Sequence, residues 1–231
     1  MRLEGMVVVV SGGLGNLGAA VASAARARGA RVAVVDRVAA PEEFEVDDNL
    51  LVLGDVDLAS YEAAQSALAR VVQHFGTIDA LVNVAGTFRW ETLEGGDVAT
   101  WDLLYNVNVR TAVAASKAVV PHLKAKGAGR IVNIGAASAA KGAAGMGPYA
   151  ASKSAVARLT ESLADELKDN GITVNAVLPS IIDTPQNRAD MPNADHARWV
   201  APEALAEVIL FLLSPAAAAV TGATIPVVGR V

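Results

Sequence analysis

Four consecutive valines, Val7 to Val10, run directly into the glycine-rich turn Ser11-Gly12-Gly13-Leu14-Gly15-Asn16-Leu17-Gly18, and an alanine-rich stretch from Ala19 to Arg28 follows. The apolar run reads as a strand buried on both faces, and the stretch after the turn reads as a helix stopped by Gly29. Similar units recur along the chain. Arg31 to Val35 and Leu50 to Gly54 are the next predicted strands, Tyr61 to Phe75 a helix, and Ala80 to Val84 the fourth strand. Residues from about Ala99 to Lys126 form one long or broken helix, and Arg130 to Ile134 is the fifth strand. Tyr149 stands near the start of a helix reaching about Asn170, before a sixth strand at Ile172 to Leu178. A helix at Pro202 to Leu213 and a short strand at Thr224 to Val228 close the chain. This alternation predicts an α/β fold: one domain over residues 1–231, with a doubly wound, mostly parallel sheet and helices on both faces.

Composition narrows the functions open to it. Hydrophobic residues make up 53% and aromatics only 4%, which suits small-faced helices packed closely on a buried sheet. A net charge of −5 argues against nucleic acid or an anionic membrane as the main partner. There is no cysteine, so disulfides, thiol nucleophiles and cysteine-based metal sites are excluded. His74, His122 and His196 are scattered without metal-ligand spacing, and no metal is expected. The chain enters its first strand at Met6 without a basic leader, and no apolar run is long enough to span a bilayer. A soluble cytoplasmic protein acting on a small molecule is the expectation.

The glycine-rich turn sits between a strand and a helix, where glycines let the backbone approach a pyrophosphate and the helix N-terminus offers N–H donors. Gly12, Gly15 and Gly18, with Asn16 and Leu17 between them, are therefore candidate dinucleotide-binding residues of a Rossmann-like domain. Asp36 ends the second strand, 18 residues beyond Gly18. A carboxylate there accepts the hydroxyls of an adenosine ribose and repels a 2′-phosphate, favouring NAD(H) over NADP(H). No Lys or Arg lies between Ser11 and Gly18 to hold such a phosphate, whereas Arg37 is placed either to meet one or to lie over the adenine. Asp55 and Val56 follow the third strand and either meet the adenine or form an exposed turn.

About 130 residues downstream, Tyr149-Ala-Ala-Ser-Lys153 places a phenol and an ammonium four residues apart, on one face of a helix. Tyrosine is a weak acid, with a reference pKa of about 10. A lysine one turn away is expected to favour the phenolate and bring the pair into the working range as a proton donor. With the dinucleotide turn, this predicts a nicotinamide-dependent oxidoreductase.

The chain resembles the short-chain dehydrogenase/reductase family over essentially its whole length. The residues that carry the likeness are the glycine-rich turn, Asn83-Val84-Ala85-Gly86, Asn108, Tyr149 with Lys153, and Pro179 with Thr184. The resemblance implies Tyr149 as proton donor and Lys153 as both nicotinamide-ribose ligand and the group that lowers the Tyr pKa. It implies that Asn108 holds a water in a proton relay by bending its helix. It places Asn83, Ala85 and Gly86 along the cofactor, Asn83 also tying strands together, and Pro179, Ile182 and Thr184 near the nicotinamide. Two departures stand out. The family's turn has glycine at the position of Asn16, here moved to Gly15, and its catalytic serine, thirteen residues before the tyrosine, is Ala136. Ser138 is the candidate substitute donor, with an ordinary polar loop residue as the alternative.

Both departures occur together in the dihydropteridine reductase branch, which Gly135-Ala136, Gly145-Met146, Asp183 to Arg188, Met191-Pro192 and Trp199 also resemble. A conjugated imine accepts hydride without building a localised alkoxide, which makes a serine dispensable. A dihydropteridine-like substrate is thus favoured, under a cover segment at about 185–199, with Trp90 and Trp199 as walls and His196 as a possible ligand contact. Rival readings are a general alcohol or ketone dehydrogenase using Ser138, and a cofactor-sensing protein without catalysis. Trp101 is expected to pack on its helix, and the acidic run Glu42 to Asp48 to be a solvated loop. Alanine-rich faces at about 99–126 and 150–170 predict a homodimer or homotetramer.

Overall fold

The computed structural model describes residues 3–41 and 47–231. Strands β1 (Val7–Ser11), β2 (Arg31–Val35), β3 (Leu50–Leu53), β4 (Ala80–Asn83), β5 (Gly129–Ile134), β6 (Ile172–Pro179) and β7 (Thr224–Val227) form one sheet in the order β3-β2-β1-β4-β5-β6-β7. Every pairing is parallel. The expected mostly parallel sheet is parallel throughout. Of the acidic run, Glu42 to Val46 lie outside the described residues, and Asp47 pairs with Arg26 at 2.5 Å.

Side-chain alternation along each strand feeds two cores, one on each face of the sheet. Val8 and Val10 face a core closed by helices α1 (Asn16–Arg26) and α7 (Pro202–Leu213), through Val21, Ala25, Leu205 and Ile209. Val7 and Val9 face the other core, covered by α2 (Tyr61–Phe75), α4 (Thr111–Lys126) and α5 (Gly147–Leu167), through Leu68, Val71, Val119, Leu123 and Leu167. Burial on both faces explains the runs of consecutive valines. Among the described residues no helix is long and apolar enough to cross a membrane.

Of the long or broken helix expected from about Ala99 to Lys126, the structure has the broken form. Helix α3 (Val98–Tyr105) passes into a single π turn at Asn106–Arg110 before α4 begins. There the Thr111 N–H reaches back five residues to the Asn106 carbonyl, and the Thr111 hydroxyl donates to the Val107 carbonyl at 2.8 Å. A short helix α6 (Pro185–Asp190), unanticipated within the cover segment, is capped by the Thr184 hydroxyl, which accepts from the Asn187 N–H at 3.2 Å. Pro185 at its first turn completes a start signal that was present in the sequence.

Asn83 corrects an expectation. Its side chain is buried in the body of the sheet and does not line the cofactor cleft. The amide donates to Asn133 Oδ1 at 2.8 Å and to Ser116 Oγ at 3.1 Å. Asn133 in turn donates to Thr160 Oγ1 at 2.9 Å, so the network ties β4 and β5 to α4 and α5. Its strand-tying role stands and its cofactor contact does not. Removing a buried donor that serves two acceptors costs about 1–3 kcal/mol. Asn83→Ala is expected to lose that much in a urea unfolding curve while its NADH dissociation constant stays within twofold of the parent. A large loss of NADH affinity in a protein of parental stability would contradict this placement.

Candidate active site

At the C-terminal edge of the sheet, β1 leads leftward to β2 and β4 leads rightward to β5, so the loops leaving them diverge. Such a switch point opens a crevice, and here it is a cleft of about 1360 Å³. Its two ends have different chemistry.

The first end is built by the glycine-rich turn. Gly12 has φ +65°, and a Cβ there would lie 2.8 Å from the Ala85 backbone. A Cβ on Gly18 would collide with the Gly12 carbonyl, so the turn meets α1 only because Gly18 is bare, as it meets Ala85 only because Gly12 is. Gly15 differs: an added Cβ would approach protein no closer than 3.4 Å, so it would stand in the cleft that Gly15 lines. Helix α1 has no side-chain cap and no acid in its first turn, leaving its N–H groups free for an anion. Bare backbone, open donors and the volume of the cleft together fit a nicotinamide dinucleotide. Asn16, Leu17 and Gly18 line the same wall. Asn16 begins α1 itself, so moving the glycine from 16 to 15 shifts the bare position to the helix cap.

Asp36 and Arg37 line the far side. The Asp36 carboxylate accepts from the Leu14 and Val38 N–H groups, each at 3.0 Å, and so fastens the turn to the end of β2. Val56 lines the cleft, whereas Asp55 does not. Asp55 takes the left-handed φ of +57° and is exposed, and the Val56 N–H then closes onto the Asp36 carbonyl at 3.0 Å. Asp55 thus forms an exposed turn, and Val56 is the residue of the two that lines the cleft. Arg110, which the sequence reading missed, also lines this end, its Nε donating to the Ala59 carbonyl at 2.8 Å.

At the other end Tyr149, in the first turn of α5, faces the cleft beside Lys153, Ser138, Ala85 and Gly86. Lys153 is buried and its ammonium donates to the Ile134 carbonyl at 2.8 Å. A Cβ on Gly86 would lie 3.1 Å from that ammonium and 3.0 Å from Asn108 Oδ1, so glycine is what admits both. Burial pushes the Tyr149 phenol up to about 12 and the Lys153 ammonium down to about 8. The expected lowering of the phenol by its neighbour is therefore not the dominant effect among the chain's own groups. Lys153 spends its proton on a carbonyl, and desolvation governs both residues. The phenol is held as an acid and the lysine carries charge only below about pH 8.

Asn108 sits in the π turn, buried and outside the cleft lining. Its Oδ1 accepts from the Thr87 N–H at 2.7 Å, and its Nδ2 donates to the Thr87 carbonyl at 3.0 Å and to Ser152 Oγ at 2.9 Å. The helix takes a π turn around Asn108, and the side-chain amide is committed to protein partners. Ala136 is buried in extended conformation where a catalytic serine was looked for. Ser138 is exposed and lines the cleft.

Pro179, Ile182 and Thr184 line the lower wall, with Asn187 and Met191 of the cover segment. His196 does not line the cleft: its Nε2 lies 2.9 Å from the Met191 carbonyl, and its ring leans on Trp199 at 4.4 Å. Both brace the cover from behind. Trp90 likewise is no wall of the pocket; its indole covers Gly145, at φ +73°, where any Cβ would strike the ring. Trp101, on α3, packs over Gly147 at 3.3 Å from where a Cβ would stand, and is partly exposed. Phe88, Leu103 and Met146 are lining residues the sequence reading passed over. Phe88 had the signal of an aromatic two residues beyond Gly86.

Because Lys153 loses its charge above about pH 8 and Tyr149 stays protonated far beyond, the reductive kcat/KM is expected to be flat at neutral pH. It should fall along a single-proton limb near pH 8. Lys153→Met is expected to lose at least about a hundredfold at pH 7. A flat profile through pH 10, measured by NADH oxidation, would contradict the assignment.

Comparison with known proteins agrees with this geometry. The family model for short chain dehydrogenase matches residues 6–195. A 3-oxoacyl-acyl-carrier-protein reductase of Vibrio cholerae is 32% identical, covering 99% of this chain and 98% of its own. The short-chain reductase protein NovJ of Streptomyces niveus is 34% identical, covering 96% and 92%. Among solved structures, levodione reductase superposes with a TM-score of 0.88 at 25% identity, over 99% of this chain and 98% of that one. The relatives carry the family likeness and none of these three is a dihydropteridine reductase. The chain belongs to the short-chain dehydrogenase family and is an oxidoreductase.

Proposed function

We propose that this oxidoreductase transfers hydride from NADH to a small planar substrate whose acceptor is a conjugated imine or an activated carbonyl, with dihydropteridine-type compounds favoured. The observation that carries the reading is Ala136, a buried alanine without a hydroxyl where the family resemblance puts the catalytic serine. One oxyanion donor is worth about 2.7–4 kcal/mol to a reaction that builds a localised alkoxide. A conjugated imine spreads the incoming charge over its ring and loses far less without that donor.

A nicotinamide dinucleotide held along the glycine-rich turn would supply the hydride. Tyr149 delivers the proton to the substrate nitrogen or oxygen, and its high proton affinity keeps it loaded at neutral pH. Lys153, charged below about pH 8, offsets the phenolate left behind. Apolar Phe88 and Met146 beside Tyr149 exclude water and suit a flat ring. NADH is favoured over NADPH because the Asp36 carboxylate lies on the cleft wall at the end of β2, where a 2′-phosphate would meet its charge. A cytoplasmic setting fits a cysteine-free chain of net charge −5.

A second reading, a carbonyl reductase in which Ser138 supplies the donor, is favoured by the presence of that hydroxyl on the cleft lining. NADH oxidation with a quinonoid dihydropterin and with a panel of small ketones separates the two. The imine reading expects pterin turnover that collapses in Tyr149→Phe and changes less than threefold in Ser138→Ala, with NADH bound more tightly than NADPH. Ketone turnover that is lost in Ser138→Ala and raised in Ala136→Ser would replace it with the second reading.

Self-association is also inferred. Val98, Trp101 and Tyr105 are exposed at helical spacing on α3, 75%, 38% and 54% accessible, and Val113 continues the apolar surface onto α4. A homodimer or homotetramer covering this strip is expected in sedimentation velocity, and Trp101→Glu is expected to dissociate it. A parent protein that sediments as a monomer would refute the assignment.

A further inference from the structure

Ser152 stands between Tyr149 and Lys153 in sequence, yet it is buried and absent from the cleft lining. It therefore touches neither substrate nor cofactor. Its hydroxyl is nonetheless engaged both ways: Oγ donates to the Tyr149 carbonyl at 2.8 Å and accepts from Asn108 Nδ2 at 2.9 Å. Asn108 holds both main-chain polar groups of Thr87. The next residue, Phe88, sets its ring edge-on against the Tyr149 ring, with centroids 4.9 Å apart and planes 82° apart.

These contacts form a closed circuit. It starts at the Tyr149 main chain, runs through Ser152, Asn108 and Thr87, and returns through Phe88 to the Tyr149 ring. Three separate elements meet in it: α5, the π turn, and the loop leaving β4. Backbone and ring of the same residue are thus held from two sides by one chain of contacts. A phenol that must reach an acceptor atom within a few tenths of an ångström benefits from such double fixing, since a misplacement of about 1 Å costs on the order of a hundredfold in rate.

We propose that Ser152 is a positioning residue for Tyr149, acting by locking the first turn of α5 to Asn108 and so to the Phe88 loop. The proposal rests on the reading of Tyr149 as the proton donor. It distinguishes Ser152 from a residue that only stabilises the helix, because alanine at this helical position replaces a back-bonded serine and has the better helix propensity. Asn108 Nδ2 keeps the Thr87 carbonyl as acceptor when the hydroxyl is gone. Ser152→Ala is therefore expected to fold.

The test compares the parent, Ser152→Ala and Ser152→Thr, with the substrate turned over in the panel above. Ser152→Ala is expected to lower kcat about 10–100-fold. Its KM for NADH and its NADH dissociation constant should stay within twofold. The solvent deuterium isotope effect on kcat should rise as proton delivery becomes limiting, and Ser152→Thr should recover most of the rate by restoring the hydroxyl. A second readout needs no turnover. The chain has three tyrosines, so ¹³C-labelled tyrosine rings give three NMR signals, with Tyr149 assigned by its loss in Tyr149→Phe. The Phe88 ring current makes the Tyr149 signal sensitive to displacement, and it should move in Ser152→Ala while the others stay. A kcat within twofold of the parent, or an unmoved Tyr149 signal, overturns the proposal. If the parent turns over nothing in the panel, the substrate reading fails alone, and the Tyr149 signal decides the positioning role.

Discussion

The divergence of chain direction between β1 and β4 is the constraint on which the rest of this molecule depends. Parallel strands must be joined by crossovers, and the connections from β1 and from β4 lead to opposite halves of the sheet. The gap this leaves cannot be closed by either set of loops. Everything chemical is then decided by what each strand end presents to that gap. From β1 comes a glycine-rich turn, from β2 a carboxylate, from β4 the bare Gly86 followed by Phe88, and from β5 Ile134 and Gly135. Helix α5 crosses this edge with Tyr149 and Lys153 in its opening turns.

Burial does more at this site than charge pairing. Tyr149 and Lys153 move in opposite directions from their ordinary values, yet the same cause acts on both, because desolvation penalises whichever form is charged. The consequence is a phenol that keeps its proton and a lysine poised to lose one. An exposed pair at the same spacing would have offered water as a competitor for every proton. The Ile134 carbonyl gives the buried ammonium one fixed partner.

Much of this was legible beforehand, for identifiable reasons. Runs such as Val7 to Val10 can only be strands covered on both faces, and a glycine-rich turn between strand and helix has few other uses. The i, i+4 relation of Tyr149 and Lys153 needed only a helix to place both at one cleft. What was not legible depended on contacts between distant segments. Asn83 and Asp55 each lay in a cofactor-like position in sequence, but the first is claimed by Asn133 and Ser116 across the sheet and the second is turned outward by a left-handed backbone. No periodicity foretells that Asn108 will spend its amide on Thr87, 21 residues earlier, or that Trp90 will seat on Gly145. The break between α3 and α4, which the sequence left open as a long or broken helix, coincides with a tertiary anchor at Asn108 rather than with any breaker in the sequence.

The loss of a serine at 136 acquires its meaning from this wider arrangement. If catalysis here had simply decayed, the costly parts would have no reason to persist together: a buried lysine, a buried amide in an irregular helical turn, and a glycine at 86 without which both would be crowded. Each is a local sacrifice of stability, since burying charge and interrupting a helix are both unfavourable in themselves. On the proposed reading their joint presence serves proton delivery, while residue 136 offers no hydroxyl to a localised oxyanion. The proposed preference follows from that combination: an acceptor that needs a proton more than an oxyanion hole is a conjugated imine rather than a simple ketone.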